Sequence, residues 1–100
     1  MKTERIPIVK IKELRGQLLD FLADIYPYDI TLTSIYSTYY QYYETSVIDK
    51  ALQYLEDKEY IKIKIQKGVR FFDDIQKYAI TAKGIDLIDG SISDNGIIRG

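Results

Sequence analysis

The sequence predicts a small α+β domain built as three helices, an antiparallel hairpin and a closing helix. Three observations carry that prediction. Val47, Ile48, Ala51, Leu52 and Leu55 recur at the spacing of one helix face. Directly after them, Ile61, Ile63 and Ile65 alternate with Lys62 and Lys64, the period of a strand buried on one side. Past the polar break Gln66-Lys67-Gly68-Val69-Arg70 a second strand resumes from Ile75 to Ile80, and Thr81 stands where it can cap a helix carrying Ile85 and Ile88.

The elements follow in order. Residues 1–9 hold Pro7 and few helix signals, which predicts a short arm that either pairs as an edge strand or stays mobile. From Lys10 to Tyr26, Ile11, Leu14, Leu18, Leu22 and Ile25 repeat every three or four residues, with Leu19, Phe21 and Ala23 widening the stripe. Gly16 inside this first helix costs about 1 kcal/mol relative to alanine, and we read it as tolerated rather than as a close-approach site. Pro27 ends the helix and makes Asp29 to Leu32 a connector. Thr31 or Thr33 can cap a second helix carrying Leu32, Ile35, Tyr36 and Tyr39, with a turn around Gln41 to Glu44. Thr45 or Ser46 can cap the third, which Lys58-Glu59 closes. The expected organisation is one domain: an arm over 1–9, a core over 10–90 and a tail over 91–100.

Composition narrows the chemistry. The chain has neither cysteine nor histidine, which removes disulfides, thiolate metal sites and the commonest general base. Asp73, Asp74, Asp86 and Asp89 read as ordinary solvated acids, and Gly68, Gly84 and Gly90 stand singly rather than in a phosphate loop. We therefore expect no enzyme, no catalytic residue, no metal and no cofactor. No segment approaches the roughly 20 apolar residues of a membrane span, so a cytoplasmic protein is the default expectation.

Charge is unevenly placed. The net charge is −1, which argues mildly against nucleic acid as a partner. Lys62, Lys64, Lys67 and Arg70 nevertheless run along the first strand and hairpin tip with no acid between them. Asp73 and Asp74 follow at once, and Glu44, Asp49, Glu56, Asp57 and Glu59 surround the third helix.

Helices two and three have the order of a helix-turn-helix, and with the hairpin behind them the elements make a winged helix with a two- or three-stranded wing. In that arrangement Thr45, Ser46, Asp49, Lys50 and Gln53 are the outward residues of the base-reading helix. Lys62, Lys64, Lys67 and Arg70 are the phosphate-contacting set, expected to share an exposure with the third helix. Equally, lysines on an edge strand protect it from edge-to-edge pairing, and the outward residues of the third helix can be a plain solvated face. Gly68 is expected at positive φ in the turn, and Phe71-Phe72 is expected to anchor the returning strand in the core. Tyr36, Tyr39, Tyr40, Tyr42 and Tyr43 are five of the chain's ten tyrosines. Such a cluster suits core packing with hydroxyls in water, a protein interface, or nucleic-acid contact.

Thr81-Ala82-Lys83-Gly84 followed by Ile85, Leu87 and Ile88 resembles the T-x-K-G ending of winged-helix regulators, whose last helix packs back on the first. Leu55-Glu56-Asp57-Lys58-Glu59-Tyr60-Ile61 resembles the junction of the same superfamily: leucine, acid or amide, basic, glycine or polar, tyrosine or leucine, then isoleucine or valine. The tail Ile88-Asp89-Gly90-Ser91-Ile92-Ser93-Asp94-Asn95-Gly96-Ile97 is similar to the end of small winged-helix proteins of Mu-like prophages, with Asn95 where that pattern carries proline. The resemblance implies a DNA-binding transcriptional regulator acting on duplex DNA. A homodimer is expected because one domain with so few basic groups would bind weakly, its interface supplied by the N-terminal arm, the first helix or the tyrosine cluster. A protein-interaction module using the tyrosine-rich and acidic surfaces is the alternative. The sequence does not identify a target sequence or a small-molecule effector.

Overall fold

The computed structural model describes residues 6–99. Helix α1 spans Ile8–Asp24, α2 Leu32–Tyr39, α3 Thr45–Asp57 and α4 Ala82–Ile88; strands are β1 (Ile30–Thr31), β2 (Ile61–Gln66) and β3 (Ile75–Ile80). The strands form one antiparallel sheet in the order β1-β3-β2. This α+β architecture is compatible with a winged helix in which β2 and β3 are the wing.

Helix α1 begins two residues earlier than its apolar stripe suggested. The Pro7 carbonyl accepts from the backbone N–H groups of Lys10 and Ile11, so Ile8 and Val9 are helical rather than part of an arm. Both are exposed, which is why apolar periodicity does not mark them. Residues 1–5 of the expected arm lie outside the described residues. The connector after Pro27 also holds structure: Ile30 and Thr31 pair with Tyr78 and Lys77 of β3. Two residues are too few for an alternating pattern to show.

One apolar core ties the elements together. Leu14, Leu18, Leu19 and Leu22 of α1 are fully buried against Ile35 of α2, Ile48, Leu52 and Leu55 of α3, and Ile61 and Ile80 of the sheet. Each such side chain stabilises the fold by roughly 2 kcal/mol. Burial fades along the ribbon, from Ile61 at 2% exposed to Ile65 at 52%, because β2 and β3 run out past the helices that cover their base. The core thus takes only part of the isoleucine set.

Capping follows local chemistry. Thr31 caps α2 by accepting from the Ser34 N–H. For α3 the N-cap is Glu44, acting through its carbonyl without a side-chain bond, so Thr45 and Ser46 lie in the first turn rather than capping it. The helix closes in a Schellman arrangement, Tyr60 N–H to Leu55 carbonyl at 2.9 Å and Glu59 N–H to Glu56 carbonyl at 2.8 Å, with Glu59 at φ 67°.

The T-x-K-G segment has a concrete job. The Thr81 hydroxyl donates to the Glu59 carbonyl at 2.6 Å and accepts from the Gly84 N–H at 3.1 Å. A Cβ on Gly84 would stand 2.3 Å from the Tyr60 carbonyl oxygen, so only glycine lets α4 approach the α3–β2 junction this closely. Gly16 is likewise a close-approach position and not merely tolerated. Its Cβ would lie 2.0 Å from the carbonyl oxygen of Ile98, because the tail returns along α1. That return is fixed by Ile98 N–H on the Lys12 carbonyl, Arg15 on the Gly96 carbonyl, and Arg99 on Asp20.

Candidate nucleic-acid interface

The register of the wing sorts its side chains onto two faces. Ile61 pairs with Ile80, Lys62 with Ala79, Ile63 with Tyr78 and Lys64 with Lys77. Residues directly opposite one another in an antiparallel pair project from the same side. Ile61, Ile63, Tyr78 and Ile80 face the helices, so Lys62, Lys64 and Lys77 share the outer face. These three lysines border a hollow with Pro27, Asp29 and Ala79, and the exposed Tyr26 and Tyr28 flank Pro27 in sequence. None of the three makes an ion pair among the described residues.

The expected common exposure of the strand lysines with α3 is therefore corrected. Helix α3 packs on the opposite side of the sheet, and alternation along β2 turns Lys62 and Lys64 away from it. Between α3 and the inner face of the wing lies a hollow lined by Tyr36, Asp49, Gln53, Glu56, Gln76 and Tyr78. Tyr36, Asp49, Gln53 and Glu56 are engaged with neighbouring acids or with each other. The Tyr36 hydroxyl donates to Asp49, and burial, then this bond to a carboxylate, pushes its pKa up to about 12. Gln53 donates to Asp57 at 2.8 Å and to Glu56 at 3.4 Å. Of the expected base-reading set, Thr45, Ser46 and Lys50 stay exposed without a side-chain bond among the described residues, while Asp49 and Gln53 are tied to neighbours.

At the tip, Lys67 pairs with Asp74 at 3.2 Å, and Asp74 also accepts from the Gly68 N–H at 3.0 Å. The Gly68 N–H first, and Lys67 second, hold the Asp74 carboxyl below its ordinary value. The left-handed residue of the turn is Arg70 at φ 62°, not Gly68. What Gly68 supplies is space, since a Cβ there would fall 1.8 Å from the Phe72 carbonyl oxygen. Phe71 and Phe72 do not anchor the strand in the core: they are 98% and 79% exposed, because the tip extends beyond any helix that could cover them.

The tyrosine cluster divides. Tyr36, Tyr39 and Tyr43 pack against the core, Tyr39 edge-on to Phe21 at 6.2 Å, whereas Tyr40 and Tyr42 are exposed. Ile6 and Lys10 border a shallow hollow with Tyr42 and Tyr43, which places the start of α1 beside the α2–α3 turn.

Sequence reasoning missed two features. Lys77 was readable from alternation in β3, since it falls on the face opposite Tyr78. The Asp94 node was not: its carboxylate accepts from Tyr60, Tyr54 and the Gly96 N–H and lies 3.9 Å from Lys58, a convergence no local pattern announces. Among the described residues no cluster of three or more potential acidic metal ligands forms, and no helix is long and apolar enough to cross a membrane. No protein-family model matches the chain, and no curated protein or solved structure gives a significant match.

Proposed function

We propose that the protein is a winged-helix DNA-binding transcriptional regulator that grips the phosphate backbone of duplex DNA through the outer face of its sheet. The observation that carries this reading is the Lys64–Lys77 pair. Like charges directly opposite each other destabilise a sheet, and no described acid pairs with either lysine. Edge protection accounts for Lys62 and Lys64 on β2, an edge strand, but not for Lys77 on the central strand. A polyanion laid on this face relieves the repulsion. Relative to the sequence expectation, the phosphate grip stays on the hairpin but shifts from its tip to the outer sheet face, where Lys77 joins Lys62 and Lys64 while Lys67 is paired with Asp74.

The bound species in this reading is a homodimer, because three phosphate contacts per protomer bind weakly and two protomers double them. Exposed Tyr40 and Tyr42, the latter beside the start of α1, supply the surface for it. No cofactor or catalytic step enters the scheme.

Fluorescence anisotropy with a pooled random-sequence duplex tests the reading. Three phosphate contacts give a slope of log affinity on log salt of about −2.7 per protomer, or roughly 500-fold per tenfold rise in salt. The variant Lys62→Gln/Lys64→Gln/Lys77→Gln should flatten that slope, while Ser46→Ala/Lys50→Gln should leave most of it. The acidic hollow between α3 and the wing favours a second reading, a protein-interaction module. That reading takes over if duplex binding is undetectable at low salt or the triple variant binds as the parent does.

A further inference from the structure

The exposed aromatic tip of the wing is the feature that phosphate gripping does not use. Phe71, Phe72 and Val69 are 98%, 79% and 68% exposed, at the far end of the ribbon that carries the three lysines. The tip is nonetheless built rather than loose. Phe72 N–H bonds the Val69 carbonyl at 3.1 Å, the Gly68 backbone lies tight against that of Phe72, and Asp74 ties Gly68 and Lys67 together. Two rings are thereby presented on a short constrained turn beside Arg70, which makes no ion pair among the described residues.

We propose that the Phe71–Phe72 tip is a wedge that inserts at a base step in the minor groove of duplex DNA, an inference that rests on the DNA reading above. Charge complementarity chooses this occupant. Residues 61–80 carry five basic side chains against Asp73 and Asp74, a net of +3 in a chain whose total is −1, and Asp74 is neutralised locally by Lys67. An electropositive ribbon ending in apolar rings matches a groove of negative potential floored by stackable bases. Arg70 beside the rings suits the narrow groove, where arginine is favoured. At about 3.3 Å per strand residue, Lys64 lies roughly 7 Å from the end of its strand, and the rings lie beyond that end on the same ribbon, so lysines and rings address one stretch of duplex.

The experiment uses the full chain and an A·T-rich duplex of about 30 base pairs, end-labelled for energy transfer and carrying 2-aminopurine. The parent should raise the 2-aminopurine signal severalfold and bend the duplex by about 20–90°. Phe71→Ala/Phe72→Ala should keep the salt slope and the thermal midpoint yet lose both signals, with about tenfold weaker binding. Salt-dependent binding by the parent without unstacking or bending overturns the wedge and leaves the grip standing. Unchanged signals in the double variant overturn it equally, and absence of any duplex binding overturns grip and wedge together. If the DNA-free parent self-associates and the double variant does not, the rings belong to a second copy, and the wedge is overturned.

Discussion

Replacing Asp94 tests whether the tail is part of the domain's cooperative unit. Its carboxylate accepts from the Tyr60 hydroxyl at 2.8 Å, the Tyr54 hydroxyl at 3.1 Å and the Gly96 N–H at 2.7 Å, with its side chain only 9% exposed. Arg15 lies 3.7 Å above the Tyr54 ring and bonds the Gly96 carbonyl, so α1, α3, the α3–β2 junction and the tail meet at this point. Hydrogen bonds to a charged group are worth roughly 1.5–3 kcal/mol each, and the two tyrosine hydroxyls can partly recover water once released. Asp94→Ala should therefore cost about 3 kcal/mol, which lowers Tm by roughly 15 °C in a domain of this size. Asp94→Asn keeps one acceptor oxygen and should cost about half as much. Burial works to raise the Asp94 pKa, but the Gly96 N–H, the Tyr60 and Tyr54 hydroxyls and Lys58 outweigh it and hold the carboxyl below its ordinary value. A depressed folded-state pKa contributes stability that is full above the ordinary carboxylate range, near pH 4, and is lost as pH falls through the folded value. The gap between parent and Asp94→Asn should be constant from about pH 5 to 7 and close in more acidic solution. Thermal melts followed by circular dichroism read both quantities. A Tm loss under about 3 °C for Asp94→Ala, or a gap that persists at acid pH, refutes the reasoning.

Two backbone positions give sharper sign tests. Helix propensity alone makes Gly16→Ala stabilising by about 1 kcal/mol, whereas a Cβ 2.0 Å from the Ile98 carbonyl oxygen requires the tail to move. Urea unfolding should show a loss of about 1–3 kcal/mol, as overpacking does. Glu59 holds a left-handed conformation at the helix C′ position, at φ 67°, where a non-glycine residue is strained by roughly 1–2 kcal/mol. Glu59→Gly should stabilise by about 1 kcal/mol after the entropy of the unfolded chain is counted, measured in the same assay.

The fold was legible wherever an apolar pattern repeats. Helix α3, strands β2 and β3, and the Thr81 cap could all be placed, because burial of one face imposes a period on the sequence. Element ends were less readable. Pro7 starts α1 through its carbonyl and Glu44 starts α3 the same way, and a carbonyl leaves no mark in the choice of side chain. Phe71-Phe72 shows the converse: aromatic character predicts burial, yet no element is long enough to cover the tip.

For the candidate site, residue types were legible and their grouping was not. Alternation along β2 already placed Lys62 and Lys64 on the face opposite Ile61 and Ile63, and so away from any helix covering those isoleucines. Treating the lysines and α3 as one surface ignored that consequence. Net charge concealed the same fact from the other direction. The chain's total of −1 combines a +3 ribbon with acids concentrated elsewhere, five of them at Glu44, Asp49, Glu56, Asp57 and Glu59. The sheet lies between its lysine face and α3. A phosphate laid on the outer face would meet Lys62, Lys64 and Lys77, with Asp29 the acid bordering the same hollow, while Asp49 and Glu56 act from the far side with solvent screening between. The local field, rather than the sum over the chain, decides whether a polyanion settles there.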